Sequence, residues 1–443
     1  MDPNPSENRR RPFNATLTGN RYLRILTLCS LYISQGLPQG FVYIALKNHL
    51  YGQGFSLTAV GGALSMISLP WTFKFLWGPI IDRFGIPAMG KRRPWLILAQ
   101  GLTVVVIFSL ALMPGIDTNI MALGWAILTM NIFISLQDVS TDSLAVDIVP
   151  EKDRGKINGF MFGCSYLGSF IGGAFLGHFL EMEGGSVQLA MMALGVCVFL
   201  IMLLPLFLRE RPGEKLLPWT KGSSQLKESE KHVGSAIELG RALLRGFNRP
   251  VAILAGVLAI FVHIGNTAIA NIGSQHFINV VGWDAKVYSQ MESAGYWFSF
   301  GGAVVGGFAA DKLGAKRAVV FSGSLLALIW ISFGQLDALW TVKWLVATSM
   351  FSQAALLGLM SVSMFTLFMN IVDRKVAATQ FTAYMALLNL SIFTGNRLAG
   401  WLRELVPSVP SAYLVAGIFQ LALMAFVFLT IRVHPGKADG AAA

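Results

Sequence analysis

The chain has 443 residues, of which 54% are hydrophobic and 13% charged, with a mean hydropathy of +0.60 and a net charge of +11. Soluble domains carry roughly a quarter charged residues, so this composition excludes an ordinary soluble enzyme or binding module. Apolar runs of about 20 residues recur along the chain, each long enough to cross a bilayer as a helix, and lipid offers no partner to backbone groups left unpaired.

In chain order, residues 1–21 are polar and basic and lack the apolar core and small-residue cleavage site of a signal peptide, so they read as a cytoplasmic tail. Twelve helical spans are predicted at 22–46, 56–80, 94–113, 119–146, 156–180, 187–208, 250–273, 287–310, 316–336, 343–370, 378–402 and 409–432. They divide into an N-terminal six-helix bundle (22–208), a polar cytoplasmic linker (209–249) that includes an amphipathic segment at 235–245, a C-terminal bundle (250–433) and a tail (434–443). The expected fold is therefore all-α and integral to the membrane, with both termini cytoplasmic. Of the 34 Lys and Arg, Lys47, Lys286, Lys343 and Arg403 fall on the side opposite the N-terminus, and Lys74 and Arg397 within spans. The remainder cluster on the N-terminal side, as the positive-inside rule requires, which accounts for the basic charge without a nucleic-acid partner. Cys29, Cys164 and Cys197 lie in apolar segments outside any metal-binding spacing, so neither disulfides nor a metal are expected.

Between spans 2 and 3 the chain reads Gly78-Pro-Ile-Ile-Asp82-Arg83-Phe-Gly85 and then Lys91, Arg92 and Arg93. The pattern returns between spans 8 and 9 as Gly307, Asp311, Lys312, Gly314, Lys316 and Arg317. Glycines at such places permit close helix approach and turning, and the charges can form a clamp that closes and opens; the plainer reading is a solvated loop with weak pairs. The ends of spans 4 and 10 also match, Asp147-Ile-Val before Arg154 and Asn370-Ile-Val before Arg374, and Asp147 reads as a latch near Arg83 and Arg92. Glycines at 168, 172, 173 and 177 predict tight helix packing in span 5.

Charged groups inside spans are costly and tend to be functional. Lys74 in span 2 and Asp138 in span 4 both lie roughly 12–14 Å inside their helices' cytoplasmic ends, at a rise of about 1.5 Å per residue, so they can pair, with Asp142 the alternative partner one turn away. Two readings stand: a fixed ion pair, or a proton-coupling site built on Asp138 or Asp142. His263 in span 7 is a further titratable candidate, against a plain packing role. Gln35, Gln39 and Tyr43 repeat on one face of span 1 beside Pro38, and with Asn266, Gln353, Asn389, Asn396 and Arg397 they are the candidate cavity residues. Each can equally bond a neighbouring helix, and Arg397 can snorkel to the outer surface. No P-loop, H-E-x-x-H or G-x-S-x-G motif is present, so an enzyme is not expected.

The duplicated G-x-x-x-D-[RK]-x-G motif, with two halves in parallel relation, resembles the major facilitator superfamily. The stretches FKFLWGPIIDR, SLQDVSTDSLAVDIVP and AATQF resemble its branch of AmpG-type muropeptide permeases and acetyl-CoA transporters. The siderophore permeases form a neighbouring branch. The resemblance implies a monomeric inner-membrane carrier without cofactor, driven by the proton gradient. It would take up a polar or anionic organic solute by rocker-switch alternating access, with spans 1, 4, 7 and 10 lining the path. Gln353 departs from the muropeptide permeases, which carry an acidic residue there. A siderophore permease, or a membrane sensor that does not transport, is the alternative.

Overall fold

The computed structural model describes residues 16–84, 86–116, 118–150, 154–223, 247–372 and 377–431. The predicted segment 235–245, the tails at 1–15 and 434–443, and Gly85 and Arg374 of the loop motifs lie outside them, as do the side chains of Asp82 and Arg154.

Among the described residues, twelve helical runs succeed one another. They are α1 (Arg21–Gly40, continued by a wider π-helical stretch Phe41–Leu46 and by Lys47–Gly52) and α2 (Leu57–Thr72, a 3-10 turn Lys74–Leu76, then Trp77–Arg83). Next come α3 (Arg93–Ala111), α4 (Ile120–Ile148), α5 (Arg154–Phe170, Ile171–Leu176, Gly177–Glu181) and α6 (Val187–Phe207). After residue 247 come α7 (Pro250–Phe261 and Ile264–Asn279), α8 (Ala285–Ala309), α9 (Ala315–Gln335), α10 (Lys343–Ile371), α11 (Ala377–Leu405) and α12 (Val409–Thr430). Among the described residues, nine continuous stretches are apolar and long enough to cross a membrane, and one of them, Ala285–Gln335, runs for 51 residues through α8 and α9. The more polar α1 and α11 fall outside those nine.

Side-chain caps satisfy the first amides of many of these helices. Ser56, Asn119, Ser186, Asp284 and Ser408 accept backbone N–H bonds at the starts of α2, α4, α6, α8 and α12. Packing repeats with a period of six helices. The pairs α1–α5, α2–α4, α3–α4 and α3–α6 have counterparts in α7–α11, α8–α10, α9–α10 and α9–α12, and the halves meet through α2–α11 and α5–α8. Crossing α1 over α5 needs glycine. A Cβ on Gly40 would overlap the backbone of Ser169, and one on Gly172 that of Leu37, so the two backbones touch with no side chain between them. This is the close packing expected of the span-5 glycines.

The segment expected to be the first part of a polar linker is folded instead. After α6, residues 208–223 turn back over the start of α3. The carboxylate of Glu210 accepts the backbone N–H groups of Lys91, Arg92 and Arg93, the last two at 2.8 and 2.5 Å. It thus caps α3 from another part of the chain, where the positive end of the helix dipole favours an anion. The Arg93 guanidinium is fully buried and donates to the carbonyls of Pro205 (2.6 Å), Leu206 and Lys215 (both 2.9 Å), and to that of Leu216. Leu17 and Thr18 donate backbone bonds to Arg209 and Glu210, tying residues 16–18 to the same strap.

Burial raises the Glu210 carboxyl above the ordinary range and lifts Glu214 to about 7. A carboxyl that holds its proton more tightly in the folded state costs stability as pH rises from its unfolded value, about 4.5, to its folded one. Melting temperature should therefore fall between pH 5 and 8, and Glu214→Gln should flatten that decline while keeping an acceptor for the Arg211 N–H (3.0 Å). A pH scan of thermal unfolding in detergent measures both.

Candidate functional site

Two charged centres and one cavity stand out. The first centre joins α2 to α4 and α1. Pro70 ends the regular part of α2, and the 3-10 turn beyond it projects Lys74 sideways. Trp71 and Trp77 flank it, donating to Asn131 (3.1 Å) and to Ser135 (3.0 Å) and so pinning α2 on α4. Lys74 Nζ donates to Asp138 Oδ2 at 2.8 Å and lies 5.4 Å from the Trp71 ring centroid. One turn on, Asp142 accepts the Tyr32 hydroxyl of α1 at 2.5 Å. Lys74 and Asp138 therefore meet at the depth counted along their helices, with Asp142 on a different partner. Two carboxylates thus stand one turn apart on α4, and the lysine bonds only the first of them.

The second centre was not anticipated. Lys47, expected among the external charges, lies on α1 beyond the π-helical stretch and is 4% exposed. Its Nζ donates to Glu292 Oε1 of α8 at 2.6 Å. Asn48 donates to the other oxygen, Glu292 Oε2 (2.9 Å), and to Ser289 Oγ (3.0 Å). Tyr51 donates to Asn271 of α7 (3.1 Å), and Asn271 to Asn396 of α11 (2.9 Å). All but the last of these bonds join the two halves. Glu292, a lone acid inside an apolar span, was the available signal. Lys47 escaped because span 1 was ended at residue 46.

The cavity holds about 400 Å³ and draws its walls mainly from α1 and α7–α12. Of the candidate residues, Tyr43, His263, Asn266, Gln353 and Asn396 line it, as do Lys47 and Glu292. His263 sits at the kink of α7, where its backbone N–H donates to Ser391 Oγ (2.9 Å). Gln353 is held by Trp330 Nε1 (2.9 Å) and Ser349 (2.8 Å). The others fall elsewhere. Gln35 is buried in α1 away from the cavity wall, and Gln39 is exposed one turn before Tyr43. Asn389 donates to the Met385 carbonyl of its own helix (2.9 Å). Arg397 is exposed on α11 with its guanidinium beside Gly62 of α2. Lys74, Asp138 and Asp142 lie outside the cavity wall.

The loop motif divides in the same way. Arg92 Nε donates to Asp147 Oδ2 at 2.8 Å, joining the start of α3 to the end of α4, while Arg83 is exposed with its guanidinium 5.9 Å from the Phe84 ring. In the second copy Asp311, Lys312 and Arg317 are exposed, and Lys316 donates to the Phe428 carbonyl at 2.7 Å. Gly314 has φ +90°, a turn that glycine suits. Close helix approach is not the role of Gly78 or Gly307, since a Cβ at either would meet nothing within 4 Å.

A cage of membrane helices around a largely apolar cavity with a few polar and charged groups, whose contacts repeat once with a period of six helices, defines a polytopic transporter. The model of the Major Facilitator Superfamily matches residues 28–270, more than half of the chain, and the chain belongs to that superfamily. It is 24% identical over 402 residues to the anhydromuropeptide permease of Escherichia coli K12, covering 87% of this chain and 76% of that one. To the putative transporter AmpG 4 of Rickettsia felis it is 20% identical, covering 85% and 91%. Among solved structures, a D-xylose-proton symporter superposes with a TM-score of 0.70 at 13% identity, covering 93% of this chain and 98% of that one. The nucleoside transporter NupG superposes at 0.69 and 14%, covering 91% and 99%. The chain is a secondary transporter of that superfamily, similar in sequence to AmpG permeases, and not an enzyme.

Removing one partner of a buried ion pair leaves an uncompensated charge and costs about 3–5 kcal/mol. Lys74→Met should lower the melting temperature sharply. Lys74→Met combined with Asp138→Asn should regain most of the loss, which thermal unfolding of the three proteins would show.

Proposed function

We propose that the chain is a proton-coupled permease that takes up a polar or anionic organic solute, of the muropeptide or acyl-CoA-like kind, by rocker-switch alternating access. The observation that carries the coupling is a single lysine for two carboxylates. Lys74 can neutralise one of Asp138 and Asp142, and the other has only the Tyr32 hydroxyl. Among low-dielectric helices a second carboxylate is stable with a proton on it, and its gain and release supply the coupling step. This centre lies outside the cavity wall, so coupling runs through α1, whose Tyr32 touches Asp142 and whose Tyr43 and Lys47 face the cavity.

The cavity supports the solute class. Its amides, His263 and four tyrosines suit an amide- and hydroxyl-rich solute, and small-molecule sites place a few polar groups on an otherwise apolar wall. The named relatives include an anhydromuropeptide permease, which makes an anhydromuropeptide the first solute to try. On the same reading the chain works in a bacterial inner membrane as a monomer, with cytoplasmic termini and two six-helix units rocking about the cavity.

The test is uptake of a labelled anhydromuropeptide into proteoliposomes under an inward proton gradient. Accumulation should exceed equilibrium and collapse with a protonophore. Asp142→Asn should abolish gradient-driven accumulation while sparing solute exchange at equal pH on both sides. Accumulation by both Asp138→Asn and Asp142→Asn with unchanged pH dependence would overturn the coupling assignment, and stoichiometric binding without accumulation would make the protein a sensor.

A further inference from the structure

The Lys47–Glu292 pair is built unlike the Lys74–Asp138 pair. Its members come from opposite halves, α1 and α8, and both line the cavity. Lys47 is almost fully enclosed at 4%, Glu292 is about a fifth exposed, and Asn48 beside them is 0% exposed. The Asn48 amide is fixed in orientation, because its Nδ2 serves two acceptors, Ser289 and Glu292. Its Oδ1 is therefore an acceptor, fully enclosed, with no donor within bonding distance. From the cavity wall Glu292, braced from behind by Asn48 Nδ2, offers a carboxylate to a cation, and Lys47 offers a cation to an anion.

Alternating access supplies the reason for both to be present, so the role assigned to this pair rests on the transporter reading. When the halves tilt apart at this end, Lys47 and Glu292 separate. Each then loses its partner beside a largely apolar wall, and a solute that enters can take the vacated places. A simple anion would satisfy Lys47 and leave Glu292 bare; a simple cation would do the reverse. A group carrying both charges on neighbouring atoms satisfies both and keeps the local net charge at zero. We infer that this end of the cavity is a subsite for a zwitterionic, α-amino-acid-type end of the solute, with Lys47 receiving its carboxylate and Glu292, held by Asn48, receiving its ammonium. The wall alongside is apolar and aromatic: Phe277 stacks on Tyr288 with ring centroids 5.7 Å apart, and Phe333 and Tyr413 pack edge-on at 5.2 Å. All four line the cavity. The solute's non-polar body lies against these rings.

Phenylalanine is a probe that matches both features, and two blocked forms each delete one charge. Binding of phenylalanine, N-acetylphenylalanine and phenylalaninamide to the purified full-length protein in detergent is measured by calorimetry at millimolar concentration. Phenylalanine should bind at least about tenfold more tightly than either blocked form, because a group left unpaired in an enclosed polar site is penalised. Glu292→Gln should erase the preference over N-acetylphenylalanine and keep that over phenylalaninamide, and Lys47→Met should do the opposite. Equal binding of all three probes to the unaltered protein, no binding of any of them, or unchanged preferences in both variants would overturn the subsite. The first two results need no variant to fold. Because this is equilibrium binding, it is separable from transport: accumulation of anhydromuropeptide without probe discrimination removes the subsite alone, and discrimination without accumulation removes the transport reading on which it was raised.

Discussion

A charge inside a low-dielectric bundle must have a partner, and that constraint shapes most of the distinctive features of this molecule. Two unit charges 4 Å apart attract by about 4 kcal/mol at an effective dielectric of 20, which offsets desolvation only when geometry and hydrogen bonding are good. Lys74–Asp138 meets the condition inside the first half, at 2.8 Å between a pair of pinning tryptophans. Lys47–Glu292 meets it between the halves, at 2.6 Å with Asn48 holding the second oxygen. Both lysines sit where a helix departs from regular geometry, Lys74 on a 3-10 turn after Pro70 and Lys47 directly after the π-helical stretch that succeeds Pro38. Irregular backbone inside a membrane is stable where it faces protein or a cavity, and here it aims the charges.

The two pairs divide the labour. One lies within a half and can keep its partner through a rocking motion. The other crosses between halves, so motion must break it. The strap after α6 adds a fixed frame. Arg93 and Glu210 bind the start of α3 to residues 205–216 through a dense set of short hydrogen bonds, and Arg92 reaches Asp147 across to α4. This end of the first half is thereby bonded into one piece, as a rigid-body tilt would require.

Much of this was legible in the amino-acid sequence. Apolar runs of bilayer length gave the helices, and the duplicated motif announced the repeat now seen in matching packing pairs. Helix periodicity and rise were enough to pair Lys74 with Asp138, because both sit on continuous chain at countable depth. The Lys47–Glu292 pair was not legible, because it depends on how two halves dock, and no local spacing encodes that. Lys47 was also set outside its helix: a π-helical stretch carries α1 on to Gly52, past the point where hydropathy fades. The strap was missed for a related reason. Its sequence is polar and rich in charge, which reads as a solvated linker, and only the cluster of carbonyls around Arg93 shows otherwise. Gly78 and Gly307 mark the opposite error, since their motif suggested helix contact and their surroundings are open.

The central claim is that the halves rock about the cavity, opening one end as the other closes. Distances between spin labels test it directly, with one pair at exposed positions on one side of the bundle, Val146 and Met369 at the ends of α4 and α10, and another on the opposite side, Gln53 and Val280 at the ends of α1 and α7. In nanodiscs, shifting pH or adding anhydromuropeptide should lengthen one distance as it shortens the other, in populations that exchange reciprocally. Two distances that stay single and unchanged under every condition, in protein shown to transport, would contradict the rocking motion.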